Sequence, residues 1–128
     1  MRQRVVLFGG SGANGALGDT WEWDGANWVE LHPPVSPPPR VAAALAYDAK
    51  RQEVVLFGGG FGAANDAWEW DGSDWQQRAT PAIPLARSRH VLAFDSVRQT
   101  TLLFGGSTTG PNLADAWDYG PVVPASVT

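Results

Sequence analysis

The sequence predicts an all-β chain made of repeated four-stranded antiparallel sheets. Three observations carry this. The run Val5-Val6-Leu7-Phe8-Gly9-Gly10 returns as Val54-Val55-Leu56-Phe57-Gly58-Gly59 and again as Thr101-Leu102-Leu103-Phe104-Gly105-Gly106. Fifteen Gly and 10 Pro stand among 128 residues, and both residue types break helices and build turns. No segment of about ten residues or more carries a helical period free of Gly and Pro.

Each repeat divides into four strands. The first is Val41 to Tyr47, or Ser88 to Phe94. Its turn is Asp48 to Gln52, or Asp95 to Gln99. The Val-Val-Leu-Phe run is the second strand; it is apolar at consecutive positions, so both its faces must be covered. A loop of variable length follows: Ser11 to Gly18, Gly60 to Asn65 and Ser107 to Ala114. The third strand is Thr20 to Asp24, where Trp21 and Trp23 share one face and Glu22 takes the other. Asp24-Gly25 supplies a hairpin turn into the fourth strand, Trp28 to Leu31. Proline-rich links, Pro33 to Pro39 and Thr80 to Ala86, lead to the next repeat.

Other landmarks keep step. Asp19, Asp66 and Asp115 precede the aromatic pairs, Trp21, Trp68 and Trp117 follow at two residues, Trp28 matches Trp75, and Arg40 matches Arg87. Four-stranded units at a period of roughly 50 residues indicate the blades of a β-propeller. The division is a single segment of about two and a half to three blades: 1–39 lacking its first strand, 40–86, and 87–128 with the last strand missing or irregular. That gives ten strands, or eleven if residues 122–127 form an outer one. Propellers have about four to eight blades, so this arc does not close a ring by itself. It is a fragment of a longer propeller, it assembles with itself, or it leans on a partner.

The order of strand, Gly-Gly, variable loop, Asp, aromatic pair, spaced Trp, then Pro and Arg resembles the kelch repeat. The form Trp-Glu-Trp-Asp-Gly (21–25 and 68–72) with Phe-Gly-Gly is similar to bacterial kelch proteins and to the central propeller of galactose-oxidase-like proteins, over nearly the whole chain. The resemblance implies a bacterial, often exported parent; the compartment stays open. Galactose-oxidase relatives use copper with a Tyr–Cys crosslink, and with no Cys that chemistry carries over to no residue here.

Charge and motifs narrow the function. A net charge of −4 argues against a nucleic-acid binder, which needs a basic stripe. No apolar run approaches the ~20 residues of a membrane span, and Val5 to Phe8 is too short for a secretory signal. Two His and no Cys give no metal-ligand cluster, and neither a cofactor nor a catalytic set is expected. Gly10 to Gly15 spells G-x-G-x-x-G, but a Trp-alternating strand follows in place of the helix that would bind a pyrophosphate. The seven Trp fall at repeat-locked positions, which reads as packing between blades rather than a sugar platform. Recurrence in every repeat likewise makes Asp19, Asp66, Asp115, Arg40 and Arg87 structural, with the arginines paired to carboxylates or Trp faces. Arg89 and His90 break the repeat, standing where Ala42 and Ala43 stand before; Phe61 is a lone loop aromatic. Arg87, Arg89, His90, Phe61 and Asn65 are therefore the candidate binding residues. The function expected is non-catalytic: loops presented to a protein or glycan partner. The alternatives are a fragment of a carbohydrate-active propeller enzyme and a self-assembling structural unit.

Overall fold

The structure is a computed structural model that describes residues 4–60 and 64–120. Ten strands and no helix occur among them. The first sheet has β1 (Val5–Gly12), β2 (Gly15–Trp23) and β3 (Trp28–Leu31) in the order β1-β2-β3. The second has β4 (Ala44–Asp48), β5 (Glu53–Phe57), β6 (Ala67–Trp70) and β7 (Trp75–Arg78), again in chain order. The third has β8 (Val91–Asp95), β9 (Thr100–Phe104) and β10 (Ala116–Tyr119). Every pairing is antiparallel. The chain is thus all-β, with three blade-like sheets in an open arc. Residues 122–127, the expected eleventh strand, lie outside the described residues.

Alternation along β5 explains the stacking. Val54 and Leu56 point to the first sheet and join Phe8, Trp68, Trp70 and Trp75 in one core. Phe57 points the other way, into a second core with Ala67 and Leu103. Both faces of the second sheet are covered, as its unbroken apolar run requires. The first junction is closed by aromatic geometry. The Trp75 ring meets Phe8 edge-on at 5.4 Å and lies 5.3 Å from Trp70. Its indole N–H donates to Thr20 Oγ1 (3.0 Å), and the Trp70 N–H donates to Glu22 Oε2 (3.2 Å). Buried indoles thereby keep their one donor satisfied.

The glycine pairs allow these sheets to approach. Gly9, Gly58 and Gly105 share φ values of 70°, 72° and 69°. A Cβ on Gly58 would stand 2.7 Å from both the Arg87 carbonyl oxygen and His90 Cε1. Only a residue without a side chain fits such a left-handed turn pressed against a neighbour's backbone.

Three expectations need correction. The first strands begin at Ala44 and Val91, not Val41 and Ser88. Ala42 and Arg89 adopt left-handed φ values of 57° and 59°, which breaks the extended run. The freed backbone bonds elsewhere: the Gly60 N–H donates to Val41 within the second repeat (2.8 Å), and the Arg89 N–H donates to Ala42 from the third repeat (3.1 Å). Next, Ser11 to Gly18 is no loose loop. β1 and β2 continue as a hairpin to the Gly12–Gly15 pair, with a register shift between Phe8 and Gly10. A strand, not a helix, follows this glycine-rich stretch. Finally, the indoles are not all packed between sheets. Trp68, Trp70 and Trp75 are buried, whereas Trp28 is 46% exposed, because among the described residues no sheet covers the outer face of the first.

Candidate functional site

Two guanidinium clamps organise the second and third sheets. Arg40, ahead of β4, donates from Nη1 to Asp66 Oδ1 (2.6 Å) and from Nη2 to Asp66 Oδ2 (2.8 Å). Nη1 also reaches the Gly58 carbonyl (3.0 Å), and Nε reaches that of Pro38 (3.2 Å). Arg87 repeats this on Asp115 (2.6 and 2.8 Å), the Gly105 carbonyl (2.9 Å) and the Leu85 carbonyl (3.0 Å). A planar fork with five donors fits a carboxylate plus two carbonyls, which a lysine could not match. Burial works to raise the Asp66 carboxyl, but Arg40 and the Trp68 N–H outweigh it and hold it below the usual range. The Arg87 and Trp117 hydrogen bonds hold Asp115 well below that range.

A second polar cluster joins the second and third sheets. Glu69 is buried and accepts from Arg51 (2.7 Å), Arg78 (2.9 Å) and the Tyr119 hydroxyl. Burial pushes its carboxyl up, and these three donors together bring it below its ordinary value. Burial and the Glu69 carboxylate push the Tyr119 hydroxyl well up. The guanidinium of Arg51 also lies 5.8 Å from the Tyr119 ring centre. Proton exchange at neutral pH is therefore disfavoured on both partners, and the cluster acts as a fastener.

Beside it opens a cleft of about 480 Å3, lined by Phe57, Ala67, Leu103, Trp117, Tyr119 and Ile83, among others. Its origin is legible from the repeat. Trp75 is held by Phe8, Thr20 and Trp70. Their counterparts in the next junction are Phe57, Ala67 and Tyr119, and all three line the cleft. The cleft is thus an indole socket with its polar anchor, the Thr20 hydroxyl, replaced by the methyl of Ala67. Ile83, on its lining, is 57% exposed.

The candidate binding residues do not gather at one place. Arg87 is fully buried in its clamp. His90 is buried, its Nε2 lying 2.7 Å from the Phe57 carbonyl oxygen and its ring edge-on to Phe57 at 5.6 Å. Burial lowers its pKa, with the nearby Arg87 charge adding to the effect. A neutral ring with the proton on Nε2 satisfies the carbonyl and leaves Nδ1 buried without a partner among the described residues. Arg89 is exposed. Asn65 is exposed and is the one described member of the set that lines the cleft. Phe61 lies outside the described residues. Sequence reasoning missed the cleft, although the Ala67-for-Thr20 change and the apolar side chain of Ile83 in a proline-rich link pointed to it.

No group of three or more His, Cys, Asp or Glu able to hold a metal occurs among the described residues, and no helix there is long and apolar enough to cross a membrane. Comparison with known family models and with curated proteins gives no match for this chain.

Proposed function

We propose that the chain is a non-catalytic, kelch-type propeller module that docks a protein partner. The docking point is the cleft between the second and third sheets, beside the Thr80 to Ala86 link. The kelch reading draws on the Gly-Gly turns, the Asp-x-aromatic strands and the sheet order. One observation carries the docking reading: an apolar cleft built like the socket of Trp75 is left unfilled by the described residues, with exposed Ile83 on its lining. Clefts lined by apolar groups are the usual seats of ligands and anchor side chains. The charged groups nearby are tied into Arg40–Asp66, Arg87–Asp115 and the Glu69 cluster, which favours a scaffold over acid–base work.

The test is a displayed random-peptide selection run beside a glycan array on the same protein. Selected peptides should share an apolar or aromatic anchor and lose about tenfold or more in affinity on Ile83→Asp. A glycan bound equally by both proteins, or turnover in oxidase or glycosidase assays, would overturn the reading.

A second reading, self-assembly, draws on the two outer faces. Leu7, Trp21, Trp23 and Trp28 on the first sheet are the counterparts of Leu56, Trp68, Trp70 and Trp75. Leu102, Phe104 and Asp118 on the third are those of Val6, Phe8 and Glu22. Copies stacked head to tail would repeat the internal junction. Light scattering decides it: a discrete dimer or trimer supports stacking, and a monomer or polydisperse aggregate counts against it.

A further inference from the structure

We infer that the first sheet carries an open guanidinium site, built from Asp19 and the Gly9 turn, whose occupant is an extended peptide led by an arginine. The inference rests on three placements of the same motif. Asp66 and Asp115 each use Oδ2 to accept from a Trp indole two residues on, at 2.8 and 2.9 Å. Each uses Oδ1 to accept from the Nη1 of an arginine at 2.6 Å. Asp19 has the first half of this arrangement, since the Trp21 indole donates to its Oδ2 at 2.7 Å. Its Oδ1 is buried and has no hydrogen-bond partner among the described residues. A buried carboxylate oxygen left without a donor is costly, and bonding it to a guanidinium recovers that cost.

The backbone offers the rest of the site. Gly9 adopts the same left-handed conformation as Gly58 and Gly105, whose carbonyls accept from Arg40 and Arg87. The edge beside it is also free. β5 pairs with β4 and β9 with β8, whereas β1 pairs with β2 alone among the described residues. In both complete cases the arginine stands four residues ahead of the strand that fills this edge: Arg40 before Ala44, and Arg87 before Val91. An occupant must therefore combine one arginine with a five-residue strand at that spacing. Such a ligand binds by adding a strand, with main-chain bonds giving affinity and the guanidinium fixing register. The acidic balance of the chain favours a basic segment. This edge site is separate from the Ile83 cleft and stands or falls without it.

The probe is a synthetic peptide of residues 40–48, Arg-Val-Ala-Ala-Ala-Leu-Ala-Tyr-Asp, titrated into the whole chain by calorimetry. Saturable one-to-one binding is expected, with amide protection gained in Val5 to Phe8. The same peptide with citrulline in place of arginine keeps the shape and removes the charge, and it should bind about tenfold or more weakly. Asp19→Asn in the protein should produce a similar loss and make the two peptides nearly equal. The citrulline arm leaves the protein unchanged, so it decides the matter even where Asp19→Asn disturbs folding. Equal binding of both peptides to the wild type, or no saturation at millimolar peptide, overturns the inference.

Discussion

The first and second sheets are written with nearly the same residues and live in different surroundings. Leu56 is fully buried, and its counterpart Leu7 is 43% exposed; Trp75 is 2% exposed, and Trp28 is 46%. Asp66 is clamped by Arg40, and Asp19 Oδ1 has no partner among the described residues. Strand alternation and turn chemistry are local, so both sheets form with the same register. Burial is not local: it needs a sheet on each face, and among the described residues the first sheet has one on a single face. In a repeat array the neighbour supplies much of the stability that each unit cannot supply alone.

The largest test of this contrast is the indole pair. Trp75→Ala should cost about 3–5 kcal/mol, because it empties a packed junction and orphans the Thr20 interaction. Trp28→Ala should cost about 1 kcal/mol or less, since it removes only a half-open contact with Trp23. Urea unfolding of the two variants measures the gap; equal losses would mean the outer face of the first sheet is covered in solution. The carboxylates come next. Asp66→Asn should cost about 3 kcal/mol by leaving the buried Arg40 charge unmatched. Asp19→Asn should change stability by less than about 0.5 kcal/mol, having no cation to strand. A large loss at Asp19 would show that its site is already filled.

The sequence made the sheets legible because their causes are short-range. Consecutive apolar residues, Asp-Gly turns and glycine pairs each act within a few residues, and the three Asp positions announced a bond needed in every blade. The first-strand starts were misplaced because nothing in Val41-Ala42-Ala43 marks a left-handed alanine; the contacts around it come from the Gly59 turn of the same sheet and from Arg89 of the next repeat, both distant in sequence. Trp28 was misread for the same reason, since its identity matches Trp75 and only its neighbour differs. The cleft was hidden because it is a contact missing among the described residues, visible only once Phe57, Ala67 and Tyr119 are superposed in thought on Phe8, Thr20 and Trp70.

The two internal junctions also differ at a histidine, and this gives the smallest expected effect. His90 bonds the third sheet to the Phe57 carbonyl, whereas its counterpart in the first junction, Ala43, has no ionisable side chain. Burial, together with Arg87, lowers the His90 pKa in the folded protein. As pH falls below the unfolded value of about 6.5, the unfolded chain takes up a proton that the folded chain refuses. Stability is therefore fully present above that value and declines as pH drops toward the folded pKa, with a slope of at most about 1.4 kcal/mol per pH unit. The clamped carboxylates Asp66 and Asp115 are held below their ordinary range, so their share is lost only below about pH 4. Glu53, pushed up by burial and by Glu69, titrates alike in wild type and variant and cancels in the difference. His90→Gln keeps an amide donor for Phe57 without the titration. Urea midpoints of the two proteins between pH 7 and 5 should diverge, the wild type falling and the variant staying flatter. Parallel curves would mean that His90 accepts its proton without opening the second junction, and that both junctions respond to acid alike.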